Sequence, residues 1–146
     1  MAAKVFYVGT SLGLKDHAET ISNTLEGISG QFANYAPWFT MPPVDQHNPE
    51  ALKERAIYDM NGIMNADFCV FIFPGGFGTH VELGMALAQG IPIFAYPAEL
   101  VGSLTSPPTD YKCVFHHHPN INWCLSSLEC FGKIMDRYYG TKYVVR

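Results

Sequence analysis

Three side chains in this chain have the types and positions to do chemistry together: Glu82, Asp59 and Tyr7. Glu82 stands in "PGGFGTHVELG", Pro74 to Gly84, where Gly75, Gly76 and Gly78 separate the apolar run "FCVFIF" from a helical pattern. Thr79-His80-Val81-Glu82 fits the S/T-x-x-E capping box, which would make Glu82 a helix cap in the first turn. A carboxylate there stays ionised, because the helix dipole favours its charge. An ionised carboxylate at the mouth of a sheet is also what a sugar-transfer nucleophile needs. Asp59 falls in register with Leu52, Ala56 and Ile63 on the apolar stripe of a helix. A carboxylate on such a stripe costs free energy unless it is paired, functional or at the stripe's solvent edge. Tyr7 comes two residues before the first glycine turn, where its ring either fills the core or turns its hydroxyl toward a carboxylate.

The surrounding elements must hold these three side chains. "KVFYVG" (Lys4 to Gly9) reads as a buried first strand ending in a glycine turn. Ala18, Ile21, Leu25 and Ile28 recur at helical spacing from about Asp16 to Ile28. "QFANYAP" has room for a short second strand, and "WFTMPPVDQHNPE" reads as a proline-rich surface loop over a site. Asn48, Pro49 and Glu50 then supply the N-cap, first position and acidic first turn of a helix carrying Leu52, Ala56, Met60 and Ile63. "DFCVFIF" is apolar throughout, as a strand covered on both faces should be. A helix from about Thr79 to Gln89 closes at Gly90, and "IPIFAYP" is the next strand. "AELVGSLTSPPTD" reads as a loop, "YKCVFHH" as a short last strand, and "NINWCLSSLECFGKIMDRYY" as a final helix with Ile121, Leu125, Leu128, Phe131 and Ile134 on one side.

Alternating strands and helices predict an α/β fold with a parallel sheet and helices on both faces. Ligands in such sheets bind beyond the carboxyl ends of the strands. Two loops qualify, "GTSLGLKD" after the first strand and "PGGFGT" after the most apolar one. Glycines let a backbone approach a ligand closely, and amides at a helix N-terminus attract anions. "PGGFGT" is neither the G-x-G-x-x-G dinucleotide fingerprint nor a Walker loop.

The 146 residues fit one domain, 1–146, with 48% hydrophobic and 15% charged residues. A net charge of −4 argues against nucleic-acid binding. The opening "MAAKVFYVG" reads as a strand rather than a leader, and no apolar run nears the ~18 residues of a membrane span. A cytoplasmic protein with no membrane partner is expected. Cys69, Cys113, Cys124 and Cys130 form no C-x-x-C pair and read as thiols. His116, His117 and His118 are adjacent, so on a strand they project in different directions, and no ligand spacing supports a metal there.

"YDMNGIMNADFCVFIF…GTHVELGMALAQG" resembles the nucleoside 2-deoxyribosyltransferases and their nucleoside 5′-monophosphate N-glycosidase relatives. The matched features are Asp-x-Asn-Gly-Ile on a helix, Ala-Asp before an apolar strand, and Gly-x-x-x-Glu-Leu-Gly turning into a helix. "KVFYVGTSLG" resembles the family's opening strand and loop, and "GTHVELG" looks most like the branch acting on cytidine-type monophosphates. "PGGFGTHVE" also fits the signature of the cytokinin-activating phosphoribohydrolases, which carry an arginine where this chain has Asp59. The resemblance runs with gaps from Lys4 to Tyr96. It implies a Rossmann-like, flavodoxin-like fold and cleavage of an N-glycosidic bond.

Carried over, Glu82 falls on the glutamate that attacks the anomeric carbon, Asp59 on the aspartate that assists the base, and Tyr7 on the tyrosine that positions the nucleophile. The transferases hold the sugar 5′-hydroxyl with an aspartate where this chain has Gly76, a loss that makes a 5′-phosphate easier to accept. Gly9, Thr10 and Ser11 from the first loop and Gly75, Gly76, Gly78 and Thr79 from the second are the expected substrate contacts. The implied substrate is a small nucleoside or nucleotide, with no metal or organic cofactor, in a homo-oligomer. The contrasting expectation is a nucleotide-binding module of the same fold that senses a ligand without turnover.

Overall fold

"FCVFIF" is the centre of the molecule: all six residues of strand β3 (Phe68–Phe73) are buried. A strand apolar on both faces needs cover on both, and the helices supply it. The computed structural model describes residues 2–99, 108 and 113–140. In order these form β1 (Lys4–Gly9), α1 (Lys15–Glu26), β2 (Phe32–Ala33), α2 (Pro49–Met64), β3, α3 (Phe77–Gln89), β4 (Ile93–Pro97), β5 (Ile121–Trp123) and α4 (Ser127–Tyr139). The five strands make one parallel sheet in the order β2-β1-β3-β4-β5. That is the flavodoxin-like order, whose switch point lies between β1 and β3. Helix α1 packs with α4, and α2 with α3.

Local sequence explains most of these boundaries. Asn48 caps α2 by accepting the Ala51 N–H at 3.2 Å, with Pro49 at the first position, as the sequence predicts. Gly90 ends α3 at φ 70°, a left-handed residue suited to glycine. Asp67 ties β1 to β3: its Oδ2 accepts the Val5 N–H at 2.8 Å and its own N–H donates to the Val5 carbonyl at 2.7 Å. This sets the register in which Tyr7 faces Cys69 and Gly9 faces Phe71.

The C-terminal part departs from expectation. Val114–His117, expected as the last strand, is a 3-10 turn. The last strand is Ile121–Trp123, expected as the start of the final helix. Its hydrogen bonds to β4 fix Ile121, Asn122 and Trp123 before Ser126 caps α4. The stripe assigned to α2 also differs. Ile63 is buried, but Leu52 and Met60 are exposed, and the inward face is Tyr58, Asp59, Gly62 and Ile63. Most of the loop "AELVGSLTSPPTD" and the tail from Thr141 lie outside the described residues. Among the described residues no helix is long and apolar enough to cross a membrane.

Candidate active site

The glycine turn settles which role local structure gives Glu82. Helix α3 begins at Phe77, two residues before the expected start, and its N-cap is Gly76. Thr79 is therefore the third helical residue, only 3% exposed, and makes no cap. Glu82 lies in the second turn, so the capping box expected at Thr79–Glu82 is absent. The first α3 hydrogen bond runs from the His80 N–H to the Gly76 carbonyl at 3.2 Å. The amides of Phe77, Gly78 and Thr79 thus precede the helix ladder and face outward from its positive end.

Glu82 instead reaches β1. The Tyr7 hydroxyl donates to Glu82 Oε2 at 2.5 Å. Tyr7 is only 1% exposed, and its ring lies against Gly62 of α2. A Cβ at Gly62 would lie 2.6 Å from the Ala36 Cβ and 2.9 Å from the Tyr7 ring, so only glycine lets α2 come this close. One turn earlier on the same face, Asp59 presents a buried Oδ1 that has no hydrogen-bond partner among the described residues. A buried carboxylate oxygen without a partner is costly and commonly marks a place for a ligand.

Burial governs the charges here. It lifts the Glu82 carboxyl, the Tyr7 hydrogen bond draws it back, and Asp59 adds a smaller upward push, leaving it at about 8. Burial thus works against the ionised Glu82 expected from the helix dipole, and in the second turn Glu82 lies past the first-turn amides where that dipole acts most. Burial also raises the Asp59 carboxyl, against the opposing pull of Arg55. Burial, followed by the Glu82 charge, pushes the Tyr7 phenol far up, so Tyr7 acts as a proton-bearing donor.

Asp59 and Glu82 line a cleft of about 270 Å³ beyond the carboxyl ends of β1 and β3, while Tyr7 is buried behind Glu82 and does not line it. Thr10, Ser11, Gly76, Gly78, Thr79, Asp59 and Glu82 line it, all of them expected site residues. Thr10 is held by its hydroxyl donating to the Ile72 carbonyl at 2.8 Å. Two expected contacts are elsewhere. Gly9 and Gly75 are both buried, and a Cβ on either would lie 2.5 Å from Phe71 or Thr79, so they serve close packing. In front of Gly76 and Gly78 the space is open. Leu12 and Trp38 also line the cleft, and sequence reasoning assigned neither. Trp38 is buried, its Nε1–H donating to the Val8 carbonyl at 2.6 Å. The loop expected over the site is thus pinned to β1 by its tryptophan. A larger groove of about 530 Å³ between α1 and α4 is lined by the exposed polar side chains of Asp16 and His17 and by no buried carboxylate.

Comparisons with protein-family models and with curated proteins find no match to this sequence. Solved structures do match. A 2-deoxyribosyltransferase from Leishmania mexicana aligns with a TM-score of 0.59 at 13% identity, over 93% of this chain and 99% of that one. The chain has the 2-deoxyribosyltransferase fold. A CMP N-glycosidase from Clostridium botulinum shares it, with a TM-score of 0.52 at 16% identity over 90% of this chain and 98% of that one. A conserved protein from Enterococcus faecalis V583 aligns at 0.73 and 17% identity, covering 93% and 99% of the two chains. In the 2-deoxyribosyltransferase fold of this chain, the cleft with Glu82 and Asp59 lies at the sheet's switch point.

Proposed function

We propose that this protein cleaves the N-glycosidic bond of a nucleoside or its 5′-monophosphate, with Glu82 as the nucleophile. The observation that carries this reading is the Tyr7–Glu82 hydrogen bond, with Glu82 lining one cleft together with Asp59, whose Oδ1 has no partner among the described residues. The fold shared with a CMP N-glycosidase and a 2-deoxyribosyltransferase supports it.

Burial pushes both carboxyls up, so each holds a proton to higher pH than a free carboxyl, and the reactive form is the one with the proton on Asp59. With the proton on Asp59, Glu82 is the anion, and Tyr7 holds it by one oxygen. Glu82 attacks C1′ as the C1′–N bond breaks. The bond's electron pair leaves on the base nitrogen, which takes the Asp59 proton. The glycosyl–Glu82 ester is then opened by water, giving hydrolysis, or by a second base, giving transfer. Trp38 supplies an aromatic wall for the base. The early amides of α3 at Gly78 and Thr79 receive the 5′ end of the sugar, and the open space at Gly76 leaves room for a phosphate. No basic side chain lines this cleft among the described residues, so backbone amides do this work. A deoxy sugar, lacking the electron-withdrawing 2′-hydroxyl, forms the cationic transition state more readily.

The exposed apolar side chains of α2 support a homo-oligomer, a second copy covering Leu52 (42% exposed), Ile57 (54%) and Met60 (47%). Light scattering on the purified chain reads this directly.

The test is a panel of nucleosides and 5′-monophosphates, with and without a second free base, followed by chromatography. Base release or exchange is expected, and Glu82→Ala stops it. Absence of turnover across the panel, or a Glu82→Ala rate equal to wild type, refutes the proposal. The second reading, a nucleotide sensor, is favoured by Gly76, which leaves open space where the transferases that the sequence resembles carry an aspartate, and by the burial that pushes the Glu82 carboxyl up. It predicts thermal stabilisation by a 5′-monophosphate with no base released.

A further inference from the structure

On the far side of the glycine turn from Glu82, the fold assembles a group that neither the proposed reaction nor the sequence motifs account for. His80, one residue after Thr79, lies with its Nδ1 2.8 Å from the Gly76 carbonyl oxygen. A ring nitrogen facing a carbonyl at this distance must carry the hydrogen, so Nδ1 donates. In the neutral ring the lone pair is then on Nε2. That Nε2 faces His116 Nε2 at 2.9 Å, with the two rings 10° from parallel. His116 is fully buried, against Phe73 at 4.5 Å and Trp123 at 5.6 Å between ring centroids. The Trp123 Nε1–H donates to the His116 carbonyl at 2.8 Å and anchors its backbone.

Cys113 completes the group. It caps the 3-10 turn Val114–His117. Side chains three apart in a 3-10 turn eclipse one another, so the Cys113-x-x-His116 spacing brings sulfur and imidazole to one side. One ligand atom each from His80, Cys113 and His116 lies within 4.8 Å of the others. In tetrahedral coordination, with zinc–nitrogen about 2.0 Å and zinc–sulfur about 2.3 Å, ligand atoms stand about 3.3–3.6 Å apart. Small side-chain rotations bring the three to that spacing. The chemistry of the set, two imidazoles and one thiolate, suits a borderline-soft ion. The Gly76 carbonyl that fixes the His80 tautomer is the kind of second partner a metal-bound histidine has.

We propose that His80, Cys113 and His116 form a binding site for a zinc-class divalent ion, supplying three of its ligands. Such an ion ties the turn 113–117 to the first turns of α3. Through His80 and Gly76 it steadies the glycine turn that walls the cleft. The site stands or falls independently of the proposed glycosidase activity, because its readout is metal uptake.

The test uses the full chain, stripped with a chelator and titrated with cobalt(II) as the spectroscopic probe, then with zinc(II) as competitor. One equivalent is expected to bind, with a thiolate-to-cobalt charge-transfer band that zinc displaces. Cys113→Ser removes the band, and His80→Gln weakens binding on the order of 100-fold, since losing a ligand costs at least what losing a second-shell partner does. Zinc raises the thermal midpoint of wild type and not of Cys113→Ser. Cys113→Ala, with its fold checked by circular dichroism, guards against a misfolded serine variant. Cys69, Cys124 and Cys130 remain in every variant as internal controls. A band that persists without Cys113, or cobalt binding to wild type no tighter than to Cys113→Ser, overturns the proposal.

Discussion

Two segments of this chain carry the same S/T-x-x-E pattern, and the fold uses them in opposite ways. In Ser126-Ser127-Leu128-Glu129, Ser126 stands outside α4 with extended backbone and accepts the Glu129 N–H at 3.2 Å. Glu129 reaches back to the Leu125 N–H at 3.4 Å and pairs with Lys133 at 3.3 Å. In Thr79-His80-Val81-Glu82, the helix has already begun at Phe77 and its cap, Gly76, has no side chain. Thr79 is swallowed by the core, and Glu82 is released to meet Tyr7. A capping box therefore needs its first residue outside the helix. Where a glycine starts the helix earlier, the first amides stay open toward a cleft and the glutamate is spared for other work.

The contrast is sharpest when both glutamates are replaced. Glu82→Gln is expected to lower kcat by about 10³-fold or more, the range for loss of a nucleophile. Glu129→Gln leaves base release at the wild-type rate. Equal losses would erase the distinction. Next in size, Asp59→Asn is expected to cost about 10²–10⁴-fold through loss of the general acid, and to change the sign of the pH dependence. In wild type the reactive form keeps a proton on Asp59 beside the Glu82 anion, so kcat/KM falls once the pair has lost its last proton, past the Glu82 carboxyl's value of about 8. In Asp59→Asn only Glu82 titrates, and its anion is the reactive form, so the residual rate rises with pH. A pH–rate profile of both proteins reads the two slopes.

Tyr7→Phe is smaller, about 10–100-fold, and moves the upper limb to higher pH. The hydroxyl's bond is what draws the Glu82 carboxyl down. An unmoved limb would mean that Tyr7 only packs. Smallest of all, Ser126→Ala is expected to cost about 1 kcal/mol of stability, the usual worth of an N-cap. Urea denaturation measures it, and turnover stays at wild type. A loss of turnover there would show that the C-terminal helix, too, shapes the cleft.

The same contrast explains how far the sequence could be read. Strands β1, β3 and β4 and helices α1, α2 and α3 announce themselves through apolar runs, 3.6-residue periodicity and local caps such as Asn48 and Gly90. These elements carry Tyr7, Asp59 and Glu82, which the resemblance singled out, but the contact between Tyr7 and Glu82 is seen only in the fold. Strand β5 was not. Three residues are too few to show alternation, and Ile121, Leu125 and Leu128 happen to follow helical spacing although the last two are exposed. Contacts between distant segments were equally hidden. Nothing local to Trp38 indicates its bond to Val8, and nothing near His116 points to His80. Gly62 stood in the Asp-x-Asn-Gly-Ile match without a reason, since its value lies in the Tyr7 ring pressed against it.

The central claim is that Glu82 forms a bond to the sugar. Single-turnover reactions with enzyme in excess over a 5′-monophosphate or nucleoside substrate, quenched in acid and mapped by peptide mass spectrometry, test it most directly. The account predicts a sugar-sized mass on the peptide containing Glu82, appearing with base release and then decaying or passing to an added second base. A sugar attached to any other side chain, or base release with no labelled peptide at any quench time, would contradict it.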